Sequence, residues 1–270
     1  MKLESKYNKL KEILSEIDRP LLAFSGGVDS TFLAGVAAEM ELNFKAITIA
    51  SPFIPEKEIQ EAIELSRSLN IEHEIIEVKF DQLGKALNNS PERCYYCKKM
   101  IFSKIKKYAE AENRTVIEGT NQDDQGDYRP GMKALRELEI KSPLFDAGLK
   151  KSEIRKLSAE IDLPTWDKPS LSCLATRVSY NLEITEDKLA RIEVAEKHLV
   201  ELGFTQYRVR DHNNLARIEV LPEEREKLFD LELLNSLNKK FKELGFDHVT
   251  FDLGGYQSGS MNQSLEVDNE

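Results

Sequence analysis

The chain has 270 residues, 40% hydrophobic and 32% charged, with a formal net charge of −10. That length allows one large domain or two small ones with a sizeable core. The acidic balance argues against an extended nucleic-acid footprint. No apolar run approaches the roughly 20 residues of a membrane span, and the N-terminus lacks a signal peptide's apolar stretch. A cytoplasmic protein with neither membrane nor nucleic-acid partners is expected. The run Leu21-Leu22-Ala23-Phe24 predicts a buried strand, and the apolar-periodic stretch from Thr31 to Met40 predicts a helix. Residues 44–50 read as a second strand. Residues 55–69 read as a helix with Ile59, Ala62, Ile63 and Leu65 on one side, and residues 71–78 as a third strand. A polar stretch from Asp81 to Arg93 leads into a helix over 95–113, a short strand and turn over 115–119, and a helix over 151–161. Leu163-Pro164-Thr165-Trp166 then breaks the pattern. Such βαβα succession predicts an α/β fold with a doubly wound parallel sheet, whose ligands bind at the carboxyl ends of the strands. Residues 25–30 and 119–129 both fall at such ends.

Beyond the break the texture changes. A helix is expected over 186–202, capped by Thr185 and stopped by Gly203. Short strands over 206–210 and 216–220 flank a turn at Asp211-His212-Asn213-Asn214. A helix over 222–244 and a closing strand over 248–253 complete a second, smaller α/β domain. The expected division is therefore 1–168, a linker over 169–184, and 185–270, with a frayed polar tail after Asn262.

The first site candidate is Ser25-Gly26-Gly27-Val28-Asp29-Ser30, set between a strand and a helix. Its glycines allow a sharp bend that exposes successive N–H groups, and the helix N-terminus adds partial positive charge, so the turn is an anion seat. It lacks a Gly-Lys-Ser/Thr ending and is not a Walker loop. It resembles the SGGxDS loop of the PP-loop ATP pyrophosphatases, which cleave ATP between the α and β phosphates and adenylate their substrates. That resemblance implies ATP and Mg²⁺. Asp29 is then the Mg²⁺ ligand or phosphate positioner, and Ser25 and Ser30 donate hydroxyls. Thr48 or Ser51 meets the adenosine, and Gly119 lets the nucleotide approach the backbone. Asp123, Asp124 and Asp127 are either further metal ligands or solvated loop acids.

The chain has three cysteines, Cys94, Cys97 and Cys173. Cys-x-x-Cys in a reducing compartment points to metal or redox chemistry. Structural zinc wants a fourth ligand that has no matching motif here. A thioredoxin-like pair, three unrelated thiols, and a 4Fe–4S cluster with one open iron all remain open on spacing alone.

Longer motifs narrow the choice. Lys168-Pro169-Ser170-Leu171-Ser172-Cys173-Leu174-Ala175-Thr176-Arg177, Asp127-Tyr128-Arg129-Pro130-Gly131 and the segment from Asp252 to Asn262 resemble the LarE-type sulfur transferases. These are PP-loop enzymes that install sulfur on the pyridinium precursor of the nickel-pincer nucleotide, and the resemblance covers nearly the whole chain. It implies that Cys173 handles sulfur. Cys94 and Cys97 are extra to the branch that sacrifices that cysteine, so they imply the branch in which three cysteines hold a 4Fe–4S cluster. It further implies that Arg208 and Arg210 grip a substrate phosphate, and that Glu196 and Glu219 match an acidic metal position. Arg177, Lys98 and Lys99 would neutralise charge nearby. A small pyridinium nucleotide substrate, sulfide or another sulfur donor, and a homo-oligomer are the partners it implies. The competing readings are a PP-loop tRNA thiolase, for which the acidic chain offers no plain RNA surface, and a non-catalytic nucleotide-binding module.

Overall fold

The computed structural model describes residues 2–125, 130–169 and 172–257. The chain divides into two compact units, Met1–Gly84 with Cys94–Leu171, and Lys85–Arg93 with Ser172–Glu270. The second unit thus includes a stretch taken from the middle of the first unit's sequence. No helix among the described residues is long and apolar enough to cross a membrane.

The first unit begins with α1 (Leu3–Ser15), followed by β1 (Pro20–Ala23), α2 (Val28–Glu39), β2 (Lys45–Ala50), α3 (Glu56–Ser68) and β3 (His73–Glu77). After α4 (Arg93–Ala111) come β4 (Thr115–Ile117), α5 (Pro130–Glu137), α6 (Pro143–Asp146) and α7 (Lys151–Glu160). The four strands form one sheet in the order β3-β2-β1-β4, and every pairing is parallel. The order reverses between β1 and β4, which opens a crevice at their carboxyl ends. Strands buried on both faces read as unbroken apolar runs, which is why Leu21, Leu22, Ala46 and Ile47 are almost wholly buried. One core joins Leu10 and Leu14 of α1 to Phe32, Leu33 and Val36 of α2 and to Ile154 and Leu157 of α7. α2 is buried along most of its length, so its start is fixed where the loop needs it.

The second unit contains α8 (Glu186–Glu201), β5 (Tyr207–His212), β6 (Leu215–Val220), α9 (Leu231–Glu243) and β7 (His248–Phe251). β5 and β6 are antiparallel, and β7 joins β6 in parallel, in the order β5-β6-β7. The hairpin turn is confined to Asn213-Asn214, both at positive φ (54° and 69°), the conformation that matches strand twist. The helix expected over 222–244 is two elements. Residues 222–229 form a 3-10 helix, and the Asp230 side chain then accepts from the Leu233 N–H (2.9 Å) to start α9 afresh. The polar stretch after β3 is also ordered, as two short 3-10 turns within Phe80–Asn88 that are broken by a kink at Gly84 (φ +52°). Thr185 caps α8 as expected, accepting from the Lys188 N–H.

Candidate active site

In the first unit, the loop after β1 turns at Gly26, whose φ is +66°. A Cβ there would lie 3.1 Å from the Ala62 Cα of α3, so only glycine fits both the angle and the space. Ser30 Oγ donates to the Gly27 carbonyl (3.2 Å), and Ser25 Oγ lies 3.2 Å from Ser30 Oγ. The two expected hydroxyls therefore brace the turn. No side chain caps α2, so its first amides face the turn as anion donors.

Gly119, just after β4, closes the other side. A Cβ at Gly119 would meet the Asp29 Cβ at 3.1 Å and the Ser30 N at 3.2 Å. The sheet therefore brings Gly119 and the loop together. Asp29 Oδ2 accepts from Lys151 Nζ at 2.6 Å, and its Oδ1 is buried without a hydrogen bond of ordinary geometry. Burial pushes the Asp29 carboxyl above the usual carboxylate range, against the pull of Lys151; Asp124 adds to the rise and Asn121 opposes it. Lys151 is held in turn, because its backbone N–H donates to Asp123 Oδ2 at 2.8 Å. Asp124 Oδ2 accepts from the Asn121 N–H. A buried carboxylate with one orphaned oxygen and a second acid nearby suits a hard cation that takes its other ligands from phosphate. Lys151 and Asn121 were not among the expected site residues. Asp127 lies outside the described residues, as do Tyr128, Arg129, Ser170, Leu171 and Ser258 to Asn262.

The second-strand candidates sit at the carboxyl end of β2, where expected, but Thr48 is already engaged. Its Oγ1 donates to the Phe24 carbonyl (2.6 Å), which leaves it to accept from His73 Nε2 (2.8 Å). Burial holds the His73 imidazole below its ordinary pKa, so the ring is neutral in this role. Ser51 is buried and accepts weakly from the Phe53 N–H. Lys99 pairs with Glu137 (2.6 Å), and the Lys98 stem lies across Gly131.

In the second unit, three arginines gather around the turn that follows Cys173. Arg177 is 3% exposed and makes a two-pronged pair with Glu196 (2.9 and 3.0 Å). Its Nη1 donates to the Ser172 and Cys173 carbonyls, at 2.6 and 3.1 Å. Arg210 forms the same fork with Glu219 (3.0 and 2.9 Å) and donates to the Thr176 carbonyl at 2.8 Å. Alternation places Arg208 on the same face as Arg210. Arg208 is only 4% exposed, yet among the described residues it makes no ion pair. It donates to the Tyr207 carbonyl and lies over the Tyr256 ring at 5.0 Å. Burial presses its pKa down, Arg177 and Arg210 press the same way, and Glu196 and Tyr256 oppose them. Glu196 and Glu219, expected as metal ligands, are placed as arginine counter-ions. Glu196 also accepts from the Val209 N–H, and Glu219 from Arg217.

All three cysteines are half-buried thiols outside any disulfide. Cys94 and Cys97 sit one turn apart at the start of α4, and Cys173 precedes the 3-10 turn Leu174–Arg177. Arg93, immediately before Cys94, is buried and donates to Asn89 Oδ1 and to the Ala175 carbonyl (3.0 Å), two residues past Cys173. Among the described residues no three His, Cys, Asp or Glu side chains form a group that could hold a metal ion.

Residues 16–105, which span the loop and the parallel strands beside it, match the asparagine synthase family model. The chain is 37% identical over 270 residues to the pyridinium-3,5-bisthiocarboxylic acid mononucleotide synthase of Lactiplantibacillus plantarum, covering 97% of this chain and 96% of that protein. It is 41% identical over 265 residues to an uncharacterized protein of Synechocystis sp., covering 97% and 99% of the two chains. An uncharacterized protein of Methanocaldococcus jannaschii is 34% identical over 252 residues, covering 93% and 95%. Coverage near full length on both sides means that the similarity takes in the nucleotide loop and the arginine strand together.

Proposed function

We propose, since the chain belongs to the LarE-type family of PP-loop, ATP-dependent sulfur transferases, that it converts carboxylates of a pyridinium mononucleotide to thiocarboxylates on the route to the nickel-pincer nucleotide. The observation that carries this reading is Arg208, a buried cation with no ion pair among the described residues, beside two arginines already matched by glutamates. Such a site suits an anion with several acceptor oxygens, and a nucleotide phosphate is one.

The chemistry follows from the residues present. A substrate carboxylate oxygen attacks the ATP α-phosphorus, and pyrophosphate leaves onto the amides at the start of α2. Mg²⁺, when bound, neutralises the departing phosphates; Asp29, with Asp124 beside it, would hold it. Lys151 offers a second positive charge at the same carboxylate. Hydrosulfide then attacks the acyl carbon, the C–O bond to AMP breaks, and the thiol proton is lost to solvent. Arg208 and Arg210 hold the substrate phosphate, while Arg177 fixes the backbone around Cys173.

Cys94, Cys97 and Cys173 are read as the ligands of a 4Fe–4S cluster. When bound, such a group supplies an open iron position for hydrosulfide. Three cysteine thiols are the right kind of donor for it.

Anaerobic incubation with ATP, Mg²⁺, sulfide and a pyridinium dicarboxylate mononucleotide tests the reading. AMP and pyrophosphate are expected in step with a product heavier by oxygen-to-sulfur exchange. ATP bound but not split overturns it in favour of a binding module, and thiolation of tRNA instead overturns the substrate. Arg208→Ala is expected to raise the substrate KM by at least about tenfold with ATP binding unchanged. Anaerobic reconstitution is expected to load about four irons per chain, and Cys97→Ser to lose them; unchanged iron in that variant refutes the cluster.

A further inference from the structure

Lys168 reaches back to the nucleotide loop from a position 142 residues further along the chain. Its Nζ donates to the Gly26 carbonyl at 3.1 Å and pairs with Glu61 Oε2 at 2.9 Å. Glu61 adjoins Ala62, the residue against which Gly26 packs. The backbone carrying Lys168 is fixed by Arg155 of α7, which donates to the Trp166 carbonyl (2.7 Å) and the Lys168 carbonyl (2.6 Å). The lysine is therefore held at the turn by design of its surroundings, and its side chain is only 18% exposed.

The charges around it have a direction. A polyphosphate entering the loop would meet the Glu61 carboxylate beside the seat, which opposes an anion. Lys168 cancels that charge. It is also a compact point charge on a flexible stem, able to rotate between acceptors a few ångströms apart. Phosphate oxygens carry more charge than one carboxylate and compete for the ammonium.

We propose that Lys168 is a ligand of the β- and γ-phosphates of ATP, parked on Glu61 and the Gly26 carbonyl until the nucleotide arrives. The proposal rests on the ATP-splitting reading of the Ser25–Ser30 loop. It makes Lys168 a binding residue for the pyrophosphate half of the nucleotide, distinct from the Asp29–Lys151 pair.

Calorimetric titration of the full chain with α,β-methylene-ATP and with AMP, both with Mg²⁺, tests it. Lys168→Ala is expected to weaken the triphosphate analogue at least about tenfold and AMP less than about twofold. Lys168→Arg should restore most of the loss. Glu61→Gln removes the competitor and should bind the analogue as tightly as the native chain or more tightly. Equal weakening of AMP and the analogue by Lys168→Ala marks a merely structural brace and overturns the proposal, as does no weakening at all. Weaker binding by Glu61→Gln also overturns it, and keeps the test decisive where Lys168→Ala fails to fold. A native chain that binds neither ligand overturns the ATP reading itself, and this proposal with it.

Discussion

Asp29→Asn is expected to lower substrate-dependent pyrophosphate release on the order of a hundred- to a thousandfold while leaving the fold no less stable. The loss follows from geometry, because an amide cannot offer two anionic oxygens to Lys151 and a metal at once. The stability follows from the direction of the Asp29 shift. Burial raises its pKa, so the native state binds this proton more readily than the unfolded chain does. Such a carboxyl stabilises the fold below its unfolded pKa, and that contribution is lost as pH rises through the folded pKa. At neutral pH the native protein therefore carries a cost at Asp29 that asparagine removes. Lys151 loses its partner in the variant, but it is 27% exposed and turns to water. In the metal-free native protein the stability gap to the variant should close as pH falls through the folded pKa of Asp29, which lies above the ordinary carboxylate range. A variant that still releases pyrophosphate at the native rate, or one that melts clearly earlier, refutes the assignment. Pyrophosphate release at neutral pH, and thermal melting without metal as a function of pH, run on both proteins, read both halves.

The parallel sheet was legible because strands buried on both faces leave short apolar runs between helical stretches, as at residues 21–24 and 44–50. α1 carried the same kind of signal in Leu3, Tyr7, Leu10 and Leu14, at spacings of three and four, but lysines and glutamates between them diluted it. The 3-10 turns within Phe80–Asn88 are each too short to repeat a pattern, because Gly84 breaks the span between Leu83 and Ala86. Pieces that short carry neither the α-helical nor the strand period. The interruption at Asp230 was legible only locally, as a capping residue inside an otherwise helical pattern.

The site divides in a similar way. The Ser25–Ser30 turn and Gly119 were readable because backbone conformation and close approach are written into local residue types. Lys151 and Lys168 were not, because each reaches the turn from more than a hundred residues away, by one flexible side chain that leaves no periodic trace. In the second unit the sequence marked Arg177, Arg210, Glu196 and Glu219 as separate ligands. Folding sets them against each other as buried pairs: the register of β5 and β6 puts Arg208 opposite Glu219, yet Glu219 forks Arg210 across the diagonal and leaves Arg208 over. Of the three arginines around the Cys173 turn, Arg208 is the one without an ion pair among the described residues, a distinction that no spacing rule contains.

Those pairs set the second large effect. Glu196→Ala is expected to destabilise the second unit by about 3 to 5 kcal/mol, since Glu196 and Arg177 are 6% and 3% exposed. The substitution strands a buried guanidinium and removes the acceptor of the Val209 N–H. It also unties the turn around Cys173, because the Arg177 Nη1 bonds to Ser172 and Cys173 depend on a guanidinium that the Glu196 fork holds still. For a unit of this size the loss lowers its melting temperature by upwards of about 12 °C. The double variant R177M/E196M should recover most of that stability, because two apolar groups remove the stranded charge along with its partner. Glu196→Gln falls between, keeping an acceptor for Val209 but not the charge. A metal-ligand role makes the opposite prediction: Glu196→Ala would melt like the native chain, while the cation requirement of the reaction would rise. Denaturation of the three variants, followed beside a titration of activity with Mg²⁺, separates the two roles, and an unshifted transition for Glu196→Ala rules out the counter-ion assignment.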